Sequence, residues 1–75
     1  MMFEKICEIL AEKFDADASA MTMETSIKDD LKADSLDVVE LMMDLEDETG
    51  VAIPDEDAVK MSTIGDIVAY VEAHQ

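Results

Sequence analysis

The chain has 75 residues, 20 acidic and 5 basic side chains, a formal net charge of −15 and 49% hydrophobic residues. This length predicts a single domain over residues 1–75 with little room for a buried catalytic cleft. Because a negative field of this strength repels nucleic acids and anionic lipids and attracts basic proteins, we expect a protein partner, and neither a nucleic acid nor a membrane.

The first predicted element is a helix over about residues 2–14. Apolar side chains recur there at three- and four-residue steps, and charged side chains occupy the rest of the helical wheel. Residues 15–34 lack this periodicity, which predicts a long loop. Four apolar side chains in this loop are expected to anchor it to the core: Met21, Met23, Ile27 and Leu31.

A second helix is predicted over residues 35–49. Asp34 is a suitable N-cap, Asp37 supplies an acid in the first turn, and Gly50 is suited to a left-handed C-cap.

Two further helices complete the predicted fold. A short third helix begins with Pro54 at its first position, and a fourth follows a cap at Ser62 or Thr63. No pair of strands is predicted. The predicted fold class is thus all-α, a four-helix bundle with three longer helices and one short third helix.

The second helix has two apolar arcs when placed on a wheel at about 100° per residue. One arc would suffice for a core, so the other could form a partner surface edged with carboxylates, or could simply be buried in a wide core. The wheel leaves both interpretations open. The first arc is Val38, Leu41, Met42 and Leu45, the second is Leu36, Val39 and Met43, and the acids are Asp37, Glu40, Asp44, Asp47 and Glu48.

Ser35 is the first residue of the predicted second helix. A helix N-terminus presents unpaired N–H groups and the positive end of the dipole, so a phosphate on the Ser35 hydroxyl would lie in an anion-binding environment. Serine is also common at this position without any function. The position alone therefore favours no special role.

Several features bear on compartment, assembly and catalysis. The single cysteine, Cys7, excludes an internal disulfide, no apolar run approaches the length of a membrane span, and the N-terminus lacks a secretory pattern. We therefore expect a cytoplasmic protein, and mutual repulsion between copies favours a monomer.

No nucleophile–base pair, metal triad or phosphate loop is visible, so we expect neither an enzyme nor a metal site.

The segment Asp34-Ser35-Leu36-Asp37, preceded by Ala33, resembles the attachment motif of acyl carrier proteins. The segment from Ile53 to Ala58 resembles the third-helix region of the same family, and His74-Gln75 resembles a common ending. The resemblance covers essentially the whole chain. A second motif at a matching spacing, together with the size and the acidity, argues against coincidence.

The resemblance implies that a separate transferase attaches 4′-phosphopantetheine from coenzyme A to Ser35, and that the thiol of this arm carries acyl chains. It implies that Asp34 and Leu36 flank the attachment site, with Asp34 helping to place the transferase and its metal. It further implies two sets of residues. Partner enzymes would contact Leu36, Asp37, Val39, Glu40, Met43, Asp44, Glu46, Asp47 and Glu48, and the acyl pocket would include Ile53, Ala58 and Met61.

The acid after Leu36 and the acidic second helix resemble the free-standing carriers of type II fatty acid synthesis. The implied partners are the phosphopantetheinyl transferase and fatty acid synthesis enzymes with basic docking surfaces. Two alternatives stay open: a carrier for polyketide or other specialised acyl transfer, and a non-carrier acidic adaptor that binds a basic protein surface.

Three residues depart from the family pattern. Lys32 stands where the family usually has Gly, and would be strained if this position needs a positive φ. Thr49 replaces a usual Phe, and we expect Met21 or Met42 to fill the space, because Met adapts to irregular gaps. Val59 replaces a usual acid on the third helix.

Overall fold

The computed structural model describes residues 1–75 and contains four α-helices. They are α1 (Met2–Phe14), α2 (Ser35–Thr49), α3 (Asp55–Ala58) and α4 (Ile64–Ala73), and a 3₁₀ turn at Ala18–Ala20 interrupts the first loop. The predicted all-α fold, with three longer helices and one short third helix, is confirmed. No helix combines the length and the apolar character that crossing a bilayer would require.

One hydrophobic core holds the helices together. It contains 17 buried residues, none of them polar or charged, so burial of apolar side chains is the main stabilising contribution. α1 packs against α2 and α4, and α3 packs against α2. The largest fully buried side chains come from the three long helices: Ile6, Leu10, Leu41, Leu45, Ile64, Ile67 and Val71.

Side-chain caps and left-handed residues set the helix ends. Gly50 ends α2 with a φ of 76°, as predicted, and of the two predicted caps of α4 it is Thr63 that begins the helix, in a capping box with Asp66. The predicted position of Pro54 is off by one residue. Pro54 is extended, with a ψ of 151°, and its carbonyl accepts the N–H of Ala58, so it is the N-cap of α3 and precedes the first helical position.

The long first loop is fastened to the connection between α3 and α4 by backbone hydrogen bonds. The N–H of Ile27 donates to the Ser62 carbonyl at 2.9 Å, and the N–H of Ile64 donates to the Thr25 carbonyl at 3.0 Å. This places the middle of the loop beside the N-terminus of α4.

Side chains from the same loop also enter the core. Met21 and Ile27 are buried and Leu31 packs against the core, as predicted. The prediction for Met23 is wrong, because its side chain is 46% exposed. Met23 is held instead by its backbone carbonyl, which accepts the N–H of Gly65 at 2.8 Å.

Thr49 satisfies its polar group locally at the end of α2. Its hydroxyl donates to the Leu45 carbonyl at 2.6 Å and accepts the N–H of Val51 at 3.2 Å. The threonine therefore leaves no unsatisfied polar atom at this end of the helix. Met21 and Met42 are both buried in the core, as they must be if either of them fills the space of the usual aromatic ring.

Candidate functional site

The N-terminus of α2 is held by two reciprocal hydrogen bonds around Ser35. The carboxylate of Asp34 accepts the N–H of Asp37 at 2.9 Å, and the carboxylate of Asp37 accepts the N–H of Asp34 at 3.2 Å. Ser35 lies between them, is exposed, and its hydroxyl takes part in no hydrogen bond. The capping box therefore fixes the backbone of a serine whose hydroxyl is free to react.

Two backbone donors at this end of the helix have no partner. The N–H groups of Asp37 and Val38 are satisfied by Asp34, whereas those of Ser35 and Leu36 donate to no group of the chain. Unpaired N–H groups and the positive end of the helix dipole favour a phosphate. The residues present therefore fit a phosphodiester attached at the Ser35 hydroxyl.

The turn that leads into α2 contains a strained residue. Lys32 has a φ of 59°, in the left-handed region that glycine tolerates best, so the condition under which strain was predicted for a side chain at this position is met. Ala33 follows it, is buried, and donates its N–H to the Ile27 carbonyl at 3.2 Å. This turn directs the chain from the loop into the first turn of α2.

The second apolar arc of α2 lies on the surface. Leu36 is 68%, Val39 37% and Met43 57% exposed, whereas the first arc is buried. Burial of the whole helix in a wide core is therefore excluded. We call Leu36, Val39 and Met43 the apolar strip.

Acidic side chains accompany the apolar strip along α2. Four of these acids are exposed, Glu40, Glu46, Asp47 and Glu48, and two are half-buried, Asp37 and Asp44. The structure thus places the predicted partner-contact residues on one helix. An apolar surface bordered by carboxylates suits a partner that is apolar at its centre and carries Lys or Arg around it.

The ion pair of Lys13 is a feature that sequence analysis missed. Lys13, in the last turn of α1, places its Nζ 3.1 Å from Oδ2 of Asp44 and 3.5 Å from Oε1 of Glu40. The hydrogen bond to Asp44 is the main cause that raises the pKa of Lys13, with further attraction from both carboxylates and partial opposition from burial. No local pattern links α1 to α2 here, because the pairing depends on how the two helices pack.

The predicted acyl-pocket residues occupy two environments. Ile53 and Ala58 are buried in the core on either side of the start of α3, which packs against α2. Met61 is half-buried and lines a shallow groove together with Lys60 and Tyr70. The assignment of an acyl pocket to these three residues stays a prediction.

Residues 4–71 match a family described as the phosphopantetheine attachment site. The chain is 51% identical to the acyl carrier protein of Clostridium acetobutylicum, over 99% of this chain and 96% of that protein. It is 46% identical to the acyl carrier protein of Lactobacillus johnsonii, over 99% and 92% of the two chains. The fold is similar to the acyl carrier protein of Enterococcus faecalis, with a TM-score of 0.84, 42% identity, and coverage of 99% of this chain and 94% of that one.

Proposed function

The chain belongs to the acyl carrier protein family and carries acyl groups as thioesters on 4′-phosphopantetheine, and we propose that Ser35 is the residue that bears this arm. The observation that carries the proposal is the exposed, unbonded hydroxyl of Ser35 inside the capping box of α2. The arm supplies a terminal thiol for thioester formation. The resemblance predicted from Asp34-Ser35-Leu36-Asp37 agrees with this family membership.

The other serines fit the role less well. The hydroxyl of Ser19 donates to Asp17 at 2.7 Å, and that of Ser26 accepts the N–H of Asp29 at 3.0 Å. Ser62 lies before the N-cap of α4 and outside its first turn. Only Ser35 combines the first helical position with neighbouring unpaired N–H groups.

The residues around Ser35 have separable roles in this proposal. The N–H groups of Ser35 and Leu36 would donate to the phosphate and stabilise its charge. Asp34 holds the first turn through one carboxylate oxygen, Oδ1, so its other oxygen can face the transferase and its metal. The chain itself contains no cluster of side chains arranged to hold a metal ion.

The apolar strip and its acids are proposed as the docking surface for partner enzymes. Three exposed apolar side chains beside unpaired carboxylates favour a partner with an apolar centre and basic edges. The net charge of −15 would speed the encounter with such a surface. We propose the phosphopantetheinyl transferase and fatty acid synthesis enzymes as these partners, and Ile53, Ala58 and Met61 as acyl-pocket residues.

The remaining assignments follow from family membership and charge. We propose that the protein acts as a carrier without catalysing a reaction itself, in the cytoplasm, as a monomer. Repulsion between two chains of charge −15 supports the monomer. Carriage of polyketide intermediates would use the same serine, so reconstitution with purified fatty acid synthesis enzymes, which should elongate acyl chains on the modified protein, tests the pathway.

Intact-mass measurement tests Ser35 directly. The protein is incubated with coenzyme A, Mg²⁺ and a broad-specificity phosphopantetheinyl transferase, beside the variants Ser35→Ala and Ser62→Ala. The wild type and Ser62→Ala should gain one phosphopantetheine, and Ser35→Ala should gain none. Modification that persists in Ser35→Ala, or no modification of folded unmodified wild type, would overturn the proposal.

A further inference from the structure

Lys13 supplies an internal counterion to one edge of the docking surface. Its ammonium lies 3.1 Å from the Asp44 carboxylate and 3.5 Å from the Glu40 carboxylate. The Lys13 side chain is 19% exposed, whereas those of Glu40 and Asp44 are 53% and 47% exposed. The lysine stem is thus largely covered by protein, and its charged end emerges between two acids of α2.

The other acids of α2 have no such partner. Glu46, Asp47 and Glu48 form no ion pair, and none of the other four lysines lies within ion-pair distance of any carboxylate. On the helical wheel Glu46 and Asp47 flank the apolar strip, while Asp44 and Glu48 lie toward α1. The acids of α2 therefore divide into a pair neutralised from within the chain and a set that is open to a partner.

We propose that Lys13 is a specificity-determining residue, which neutralises Glu40 and Asp44 and so directs the basic side chains of partner proteins to Glu46 and Asp47, the two unpaired acids that flank the apolar strip. This inference rests on the proposed use of the apolar strip as the docking surface. The partner it fits is a protein with an apolar patch and Lys or Arg side chains concentrated on the edge that meets Asp47.

The physical reason is competition between cations for the same carboxylates. A Lys or Arg side chain of a partner that approaches Asp44 must displace the Lys13 ammonium or lie beside it, and like charges at that distance repel. Lys13 is tethered by its own helix, so it reaches Asp44 without the loss of translational freedom that a partner incurs. Hydrogen bonding to Asp44 raises the pKa of Lys13, so the competing charge persists throughout the neutral range.

Two charge-matched variants test this role. Lys13→Gln and Lys5→Gln each remove one positive charge from α1, but Lys5 is exposed and forms no ion pair. Dissociation constants are measured with a broad-specificity phosphopantetheinyl transferase in the absence of coenzyme A. Lys13→Gln should bind about threefold more tightly than Lys5→Gln, because two carboxylates become available.

A double-mutant cycle separates the local effect from the general charge. Asp44→Asn should leave the affinity of the wild type nearly unchanged and should weaken binding of the Lys13→Gln protein about threefold. Asp47→Asn, which removes an unpaired carboxylate, should weaken binding by the same factor in both backgrounds. Lys13→Met, which keeps an apolar stem, should reproduce Lys13→Gln if the lost charge is the cause.

The outcome that overturns the inference is equal affinity of the Lys13→Gln and Lys5→Gln proteins, with an effect of Asp44→Asn that does not depend on Lys13. Weaker binding of both Lys13 variants would also overturn it. Failure of the proposed function gives a different result, since the wild type would then gain no phosphopantetheine and Met43→Ala would not weaken binding. Circular dichroism and melting curves establish that each variant is folded.

Discussion

The hydroxyl of Tyr70 donates a hydrogen bond to Oδ2 of Asp57 at 3.1 Å, and this is the one side-chain hydrogen bond between α3 and α4. α3 has four residues, of which only Ala58 is buried, so few apolar contacts hold it. Burial raises the pKa of Tyr70, with smaller contributions from the hydrogen bond and the carboxylates of Asp57 and Glu56, which keeps the donor protonated. The bond therefore restrains the helix that has the fewest buried residues.

Tyr70→Phe is expected to loosen α3 more than the rest of the fold. The ring is retained, so only the hydrogen bond is lost, and local opening of a short helix becomes more frequent. Amide hydrogen exchange should accelerate at Ala58 and Val59 and stay unchanged at Leu10 in α1. Uniform acceleration at all three positions would indicate a global loss of stability instead, and Asp57→Asn, which keeps an acceptor, should have a smaller effect.

Lys32→Gly is expected to stabilise the protein by about 0.5–1 kcal/mol. Glycine relieves the left-handed strain at a φ of 59°, and the greater freedom of the unfolded glycine offsets part of the gain. Urea unfolding followed by circular dichroism measures the change. Asp15→Gly, at a φ of 53°, is the control and should gain less, because Asp tolerates this conformation better than Lys. A loss of stability in Lys32→Gly would contradict the strain.

The two glycines are expected to differ in their response to alanine. Gly50→Ala should cost about 1 kcal/mol, because φ is 76° and no atom lies within 4 Å of the new Cβ. Gly65→Ala should cost about 2 kcal/mol, because the new Cβ would lie 2.8 Å from the carbonyl oxygen of Met23. Urea unfolding compares the two variants, and an equal cost would mean that the first loop shifts away without loss.

Asp66 is expected to make stability depend on pH in the acid range. Hydrogen bonds from the N–H groups of Ser62 and Thr63 lower the pKa of Asp66, with burial opposing. Because the folded pKa lies below the unfolded one, the contribution of the carboxylate is complete above the unfolded value near 4 and is lost as the pH falls through the folded value.

Comparison of the wild type with Asp66→Asn isolates this contribution. The difference in unfolding free energy should stay constant from neutral pH to about pH 5 and should shrink below about pH 4. Urea unfolding at a series of pH values measures it. A difference that persists unchanged to the lowest accessible pH would show that the carboxylate charge does not strengthen the two hydrogen bonds.

The helix ends and the helical periodicity could be predicted from the sequence because short-range interactions specify them. Asp34 caps α2 by accepting the N–H of Asp37, three positions away, and Gly50 ends the helix because glycine adopts a positive φ without strain. The family of the chain and the candidate attachment residue were also visible, since Asp34-Ser35-Leu36-Asp37 is a contiguous segment. Strain at Lys32 was predicted on the condition that its position needs a positive φ, and the φ of 59° meets that condition.

Long-range packing decided the remaining features. The exposure of Leu36, Val39 and Met43 depends on which arc of α2 meets α1, and a helical wheel treats the two arcs alike. The pairing of Lys13 with Asp44 joins residues on different helices, and the Met23 carbonyl accepts the N–H of Gly65, a residue of α4. Such contacts form only when distant segments have packed together, so their signals are absent from any short stretch of sequence.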